Sequence, residues 1–274
     1  MKRSVKPAVV LFLTAFSLAV FPLAATGLSQ NSPPPNAPRT NAPRTNAPQL
    51  SSSRQSAIRF VPGANRSAPR TGRSRGGASR GNCPETSQTL MALVPAGNAN
   101  QQAVPPDLTV SDRPTFWFYV PYSLSAERPA EFALLDEMGE YVYQTRITSE
   151  TASGGILRIQ IPEDIPALEA GKTYSWTFQV LCEGSNPIDL WGSLERIALN
   201  SNQQTRLQQL STPADRAAFY AENGIWYDAL GIVADLYHAD RTDPVRAANW
   251  ESLLRSVGLA SVAAERLLNS YPRL

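Results

Sequence analysis

The chain is predicted to be α+β: an antiparallel β-sandwich of about seven strands followed by a small C-terminal helical region. Three observations carry this reading. Seven short apolar or alternating runs recur between Cys83 and Leu199, with turn residues between them. The clearest begins at Thr173. There Tyr174, Trp176, Phe178 and Val180 fall on one side of a period of two, and Thr173, Ser175, Thr177 and Gln179 on the other, the pattern of a half-buried strand. From about Asn202 the apolar spacing turns helical and is punctuated by helix caps.

Charge sorts the 274 residues into two parts. No Asp or Glu occurs before Glu85, while that stretch carries 12 of the 25 Lys and Arg residues; the remainder has 13 basic against 23 acidic residues, a net of −10. A basic leader and arm are therefore joined to an acidic body. Lys2, Arg3 and Lys6 precede an apolar run over 8–25 broken only by Thr14, Ser17 and Pro22, with small residues after it. This reads as a secretory signal peptide over residues 1–28, the alternative being an uncleaved N-terminal anchor, the one membrane contact expected. Either way the body is exported, to the periplasm or beyond the cell.

Residues 29–82 are rich in Pro, Ser, Asn, Gly and Arg and contain the tandem units Asn36-Ala-Pro-Arg-Thr40, Asn41-Ala-Pro-Arg-Thr45 and Asn46-Ala-Pro-Gln-Leu50. Such a segment buries too little apolar surface to offset its ordering entropy, so a disordered linker is expected. Its nine arginines, and the tract Gly72-Arg73-Ser74-Arg75-Gly76-Gly77, suggest nucleic acid. Export argues against that partner and favours a cationic tether that holds the body off, or against, an anionic envelope surface.

The sandwich is expected over 83–200. Its strands are read at Thr89 to Pro95, Thr115 to Pro121, Glu131 to Asp136, Tyr141 to Thr148, Gly155 to Pro162, Thr173 to Cys182 and Leu190 to Leu199, with a hairpin turning at Gly139. Thr115-Phe-Trp-Phe-Tyr-Val120 is aromatic on both faces and needs two covers. The spacing Leu168-x-x-Gly171-x-x-Tyr174 resembles the turn entering strand F of immunoglobulin- and fibronectin-like sandwiches, where a tyrosine hydroxyl bonds back to upstream backbone. Cys83 and Cys182 are the two cysteines. In a reducing compartment they are two unrelated small hydrophobes; after export a disulfide between them becomes the expectation.

The helical region, 201–274, opens with Thr212 as N-cap and Pro213 at the first helical position, and Asn223-Gly224 is a stop. A second helix follows from about Ile225 to His238, and Asp243-Pro244 opens a third. The spacing Ala217, Gly224, Trp226, Ala229 resembles one tetratricopeptide hairpin. One and a half such repeats do not stand alone, so the tail is expected to dock on the outer face of the sandwich beside Thr115–Val120.

The residues carry little chemistry. His238 is the only histidine and has no nucleophile motif near it in sequence; there is no Walker loop or dinucleotide fingerprint, and hence no cofactor is expected. Metal ligation lacks a Cys/His set. Glu131, Asp136, Glu137 and Glu140, or Glu163, Asp164 and Glu169, contain enough carboxylates for a glycosidase pair, but such loop clusters are ordinarily solvated. The reading is a non-enzymatic module of the cell envelope that binds a protein partner. Its alternative is a carbohydrate-binding or carbohydrate-cleaving protein that stacks sugars on Trp117, Tyr119, Tyr122 and Trp191.

Leu108 to Tyr122, the corner from Leu168 to Trp176, and Tyr220-Ala-Glu-Asn-Gly-Ile-Trp-Tyr-Asp-Ala-Leu230 together resemble an exported cyanobacterial family, domain of unknown function nine-two-eight, over about residues 76–260. The resemblance implies export and a two-part architecture. It brings no site residues; the neighbourhood in which such chains occur, near tetratricopeptide, caspase-like and adhesin-like proteins, implies partner binding.

Overall fold

The structure is a computed structural model and describes residues 57–63, 74–76, 83–95, 106–148, 153–182 and 186–271, the last three as backbone. The expected signal segment, the Asn-Ala-Pro units and most of the linker lie outside the described residues. Among those described, nine strands form two sheets, and four helices follow the eighth strand.

The strands are β1 (Met91–Ala92), β2 (Asp107–Thr109), β3 (Thr115–Val120), β4 (Ala130–Leu135), β5 (Tyr141–Ile147), β6 (Gly155–Gln160), β7 (Thr173–Val180), β8 (Ile188–Arg196) and β9 (Leu267–Tyr271). The five-stranded sheet runs β2-β8-β7-β4-β5 and the four-stranded sheet β1-β3-β6-β9. Most pairings are antiparallel, as expected, but β2 lies parallel to β8 and β9 parallel to β6. The sheets are therefore mixed, which corrects the wholly antiparallel expectation. Parallel pairs need long crossovers, and between β6 and β9 the chain runs through β7, β8 and the whole helical region. Residues 267–271 are accordingly strand where the sequence placed a helical tail.

Aromatic rings from the two sheets meet in the middle. Phe118 of β3 stacks on Phe178 of β7 with centroids 4.1 Å apart, and Trp176 and Phe132 close around it at 5.5 and 6.0 Å. Each such ring removes about 150–250 Å² from water, so this cluster is the main reason the sheets adhere. Cys83 and Cys182 are joined as a disulfide with Cα atoms 5.4 Å apart, tying the β1 side of one sheet to the end of β7 in the other. Where the chain enters β7, Leu168 is buried, Gly171 turns at a φ of 83° open to few residues but glycine, and the Tyr174 hydroxyl accepts a 2.8 Å hydrogen bond from the Glu169 N–H.

The helices are α1 (Ser201–Gln208), α2 (Pro213–Glu222), α3 (Trp226–Ala239) and α4 (Pro244–Ser256). Thr212 caps α2 through its hydroxyl and Asp243 caps α4 through its carboxylate. α3 is fastened beside β3. The Trp226 indole N–H donates to the Leu93 carbonyl at 2.8 Å; separately, Arg158, paired with Trp117 in register, lies over the Trp117 ring at 5.5 Å and reaches Asp235 of α3 at 2.8 Å. The second cover that β3 requires is thus the chain's own helices.

The linker expectation needs one correction. Residues 74–76 run beside β1, with the Gly76 N–H on the Leu90 carbonyl and the Ala92 N–H on the Ser74 carbonyl. Residues 57–63 lie against the helices, with Ile58 buried. Ile58, Phe60 and Val61 are apolar islands in a polar stretch, and a composition average hides them.

Candidate functional site

With helices beside the four-stranded sheet, the outer face of the five-stranded sheet is where exposed aromatic surface remains. Register fixes what shares that face. One cross-strand row is Arg146 of β5, Glu131 of β4 and Gln179 of β7; the next is Gln144, Ala133, Thr177 and Trp191 of β8. In the first row Arg146 Nη1 donates to Glu131 Oε1 at 2.7 Å and Gln179 Nε2 donates to Glu131 Oε2 at 2.8 Å. Both carboxylate oxygens of Glu131 are thereby committed to holding the row across three strands. The ion pair is largely exposed and contributes at most about 1 kcal/mol; its role is to fix a charged and polar edge.

In the second row Ala133 and Thr177 are small, and the surface dips into a groove of about 420 Å³ bordered by Tyr141 and Arg146. Tyr141, which lines the dip, is 66% exposed, and Trp191, paired with Thr177 one strand further on, is 37% exposed. Among the described residues β5 is one of the sheet's two edge strands, and edge backbone can accept a further strand. The arrangement offers flat aromatic faces, a fixed Arg–Glu–Gln row and backbone donors and acceptors at one rim. It is equipped for binding.

Three of the four aromatics proposed from sequence as a platform are elsewhere. Trp117, Tyr119 and Tyr122 are 4%, 7% and 6% exposed; Arg158, held by Asp235 of α3, lies over Trp117, and Glu265, in the turn before β9, lies beside Tyr119. Burial, with the Glu265 carboxylate beside it accepting its hydrogen bond, pushes the Tyr119 hydroxyl above its ordinary range. Only Trp191 of that set reaches the open face. Tyr141 went unnoticed for a definite reason. By alternation it should share a side with the buried Tyr143, but an irregularity between Leu134 and Leu135 shifts the β4–β5 register and puts Tyr141 opposite Leu135.

Asp136, Glu137 and Glu169, like Glu131, hold the fold through their carboxylates. Asp136 Oδ1 accepts the Met138 and Glu140 N–H groups at 2.9 Å each, Glu137 Oε1 accepts the Thr173 N–H at 3.0 Å, and Glu169 pairs with Lys172 at 2.8 Å. His238 is exposed on the last turn of α3. Among the described residues no group of three or more His, Cys, Asp or Glu is placed to hold a metal ion, and no helix is long and apolar enough to cross a membrane.

No curated protein matches the chain. One solved structure that it resembles is chicken MD-1 complexed with lipid IVa, at 13% identity, with a TM-score of 0.21, covering 46% of this chain and 96% of that one. Residues 75–267, from the middle of the segment beside β1 to the first residue of β9, match the family described as Domain of Unknown Function (DUF928). The match spans both sheets and all four helices, and the chain belongs to that family.

Proposed function

We propose that this chain is an exported, non-enzymatic interaction module of the cell envelope that binds a protein partner on the outer face of the five-stranded sheet and along the β5 edge. In this reading the sheets act as an immunoglobulin-like sandwich, α2 and α3 as a single tetratricopeptide-like hairpin that braces it, and the arginine-rich arm as a contact to an anionic surface. The observation that carries it is the groove lined by Tyr141, with its fixed Glu131–Arg146–Gln179 row and with Trp191 one strand beyond its Thr177 wall. Exposed aromatics beside an ordered arginine are the residue types that dominate binding energy at protein interfaces. The test is a photo-crosslinker at Gln144 in envelope extracts. Adducts formed by the wild-type chain should vanish in Tyr141→Ala and Arg146→Glu variants of unchanged melting temperature. Adducts insensitive to both substitutions, or their absence from the wild type, would overturn the reading.

A carbohydrate ligand is the second reading, favoured by Tyr141 and Trp191 standing on one face. Affinity electrophoresis in gels containing envelope polysaccharide should then retard the wild-type chain but not Trp191→Ala. Equal mobility of the two discards it.

A further inference from the structure

Residues 57–63 cross the helical layer as an extended peptide and are held as a bound ligand is held. Ile58 is 5% exposed, and its N–H donates to Asn249 Oδ1 of α4 at 3.2 Å. The Phe60 N–H donates to Ser256 Oγ at the end of α4 at 3.0 Å, and the Val61 N–H to the Ala221 carbonyl near the end of α2 at 3.0 Å. The Phe60 ring meets Trp226 edge-on with centroids 5.1 Å apart. Arg59, between the two anchors, is exposed. Three main-chain donors are read by two side chains and a helix end, while two side chains one residue apart are read by apolar packing. This is sequence-tolerant recognition with two specificity positions.

The receiving surface is shaped for that crossing. Gly224 sits at a φ of 71°, and a Cβ there would come within 2.9 Å of the Gly63 nitrogen, so the glycine permits both the turn out of α2 and the close passage of the segment. Asn249, buried in the middle of α4, presents an amide oxygen to the segment where a helix core position would ordinarily be apolar.

We propose that the α2–α3–α4 layer is a peptide-binding groove whose occupant, residues 57–63, is a tethered stand-in, and that a partner protein enters it with an extended segment of the pattern aliphatic-x-aromatic-aliphatic shown by Ile58, Phe60 and Val61. The inference is independent of the open sheet face. A segment carried on the same chain competes at an effective concentration of about millimolar, so an incoming peptide binds weakly until the stand-in is weakened.

The probe is a fluorescein-labelled peptide with the sequence of residues 56–63, added to the full chain. A double Ile58→Ser, Phe60→Ser variant should bind it at least tenfold more tightly than the wild type does. Adding Gly224→Ala to that variant should abolish binding, and a scrambled peptide should not bind. Equal affinity of the double variant for the authentic and scrambled peptides overturns the proposal. Should the variant fold poorly, native-state hydrogen exchange on the wild-type chain decides. The Ile58, Phe60 and Val61 amides should exchange at least a hundredfold faster than those of Phe178 and Val180, by an opening that leaves the sheets intact. Exchange only through global unfolding would make the segment an integral brace and overturn the proposal. A dimer of exchanged segments that takes up no peptide would assign the groove to a second copy and equally overturn it.

Discussion

Asp228 offers one substitution that reads how the helices are fastened to the five-stranded sheet. It lies in the first turn of α3, and its Oδ2 accepts hydrogen bonds from the Thr109 hydroxyl at 2.9 Å and the Val110 N–H at 3.0 Å, at the end of β2. Burial pushes its carboxyl above the ordinary range, outweighing the bonds from Val110 and Thr109 that favour the charged form. The sign follows from linkage. A carboxyl raised in the folded state holds its proton more tightly there than in the unfolded chain. Its contribution to stability is therefore fully present below the ordinary value of about 3.9 and is lost as pH rises through the folded value. Asp228→Asn keeps an oxygen that can accept both donors and removes the charge. Asp228→Ala strands both donors, and at about 1–3 kcal/mol for each buried unsatisfied group, discounted because residue 228 is only half-buried, it should cost about 2–4 kcal/mol. Urea unfolding at pH 4.5, 6 and 8 with the disulfide intact measures all three chains. Stability of the wild type relative to Asp228→Asn should fall as pH rises, and the Asn chain should stay well above the Ala chain. If Asn and Ala are equally destabilised, or the wild type gains on Asn with rising pH, the charge itself holds the seam and the reasoning fails.

Three further outcomes are expected. Tyr174→Phe removes the acceptor of the Glu169 N–H and should lower stability by about 1–3 kcal/mol in chemical denaturation; no change would deny the corner a structural role. Gly192→Ala would drive a methyl into the Trp176 indole, within 2.7 Å of Cε2, and should cost about 1–3 kcal/mol with an altered near-ultraviolet dichroism spectrum; a silent substitution would mean the indole has room to move. Deleting residues 212–274 removes three helices and β9 from beside Trp117 and Tyr119, so the remainder should aggregate or melt without cooperativity. Cooperative melting at an unchanged temperature would show the sheets to be independent of the helices.

The parts of the fold that were readable are those whose determinants are local. Alternation through Tyr174, Trp176, Phe178 and Val180 marks β7, and the caps Thr212 and Asp243 mark where α2 and α4 begin. The double-sided aromatic pattern of β3 announced that something covers it, though not which element. Long-range features were opaque. β2 has three residues and β9 runs Leu-Leu-Asn-Ser-Tyr without alternation, and both exist because a parallel partner is supplied from far along the chain. α1 buries no side chain, so it has no apolar stripe; its one signal was the capping box from Asn200 to Gln203. At the candidate face, Trp191 was found from its residue type, whereas Tyr141 owes its exposure to a register shift and Ile58 its burial to helices almost two hundred residues away.

The helices lie beside the four-stranded sheet and leave Trp191 on the opposite face exposed, where the proposed partner would bind. Oxidative labelling of the five tryptophans, read by mass spectrometry, tests it directly. Trp191 should be modified quickly while Trp117, Trp176, Trp226 and Trp250 are spared, and bound partner should protect Trp191. Modification of Trp117 or Trp226 at the rate of Trp191, or a Trp191 that stays reactive in the complex, would contradict it.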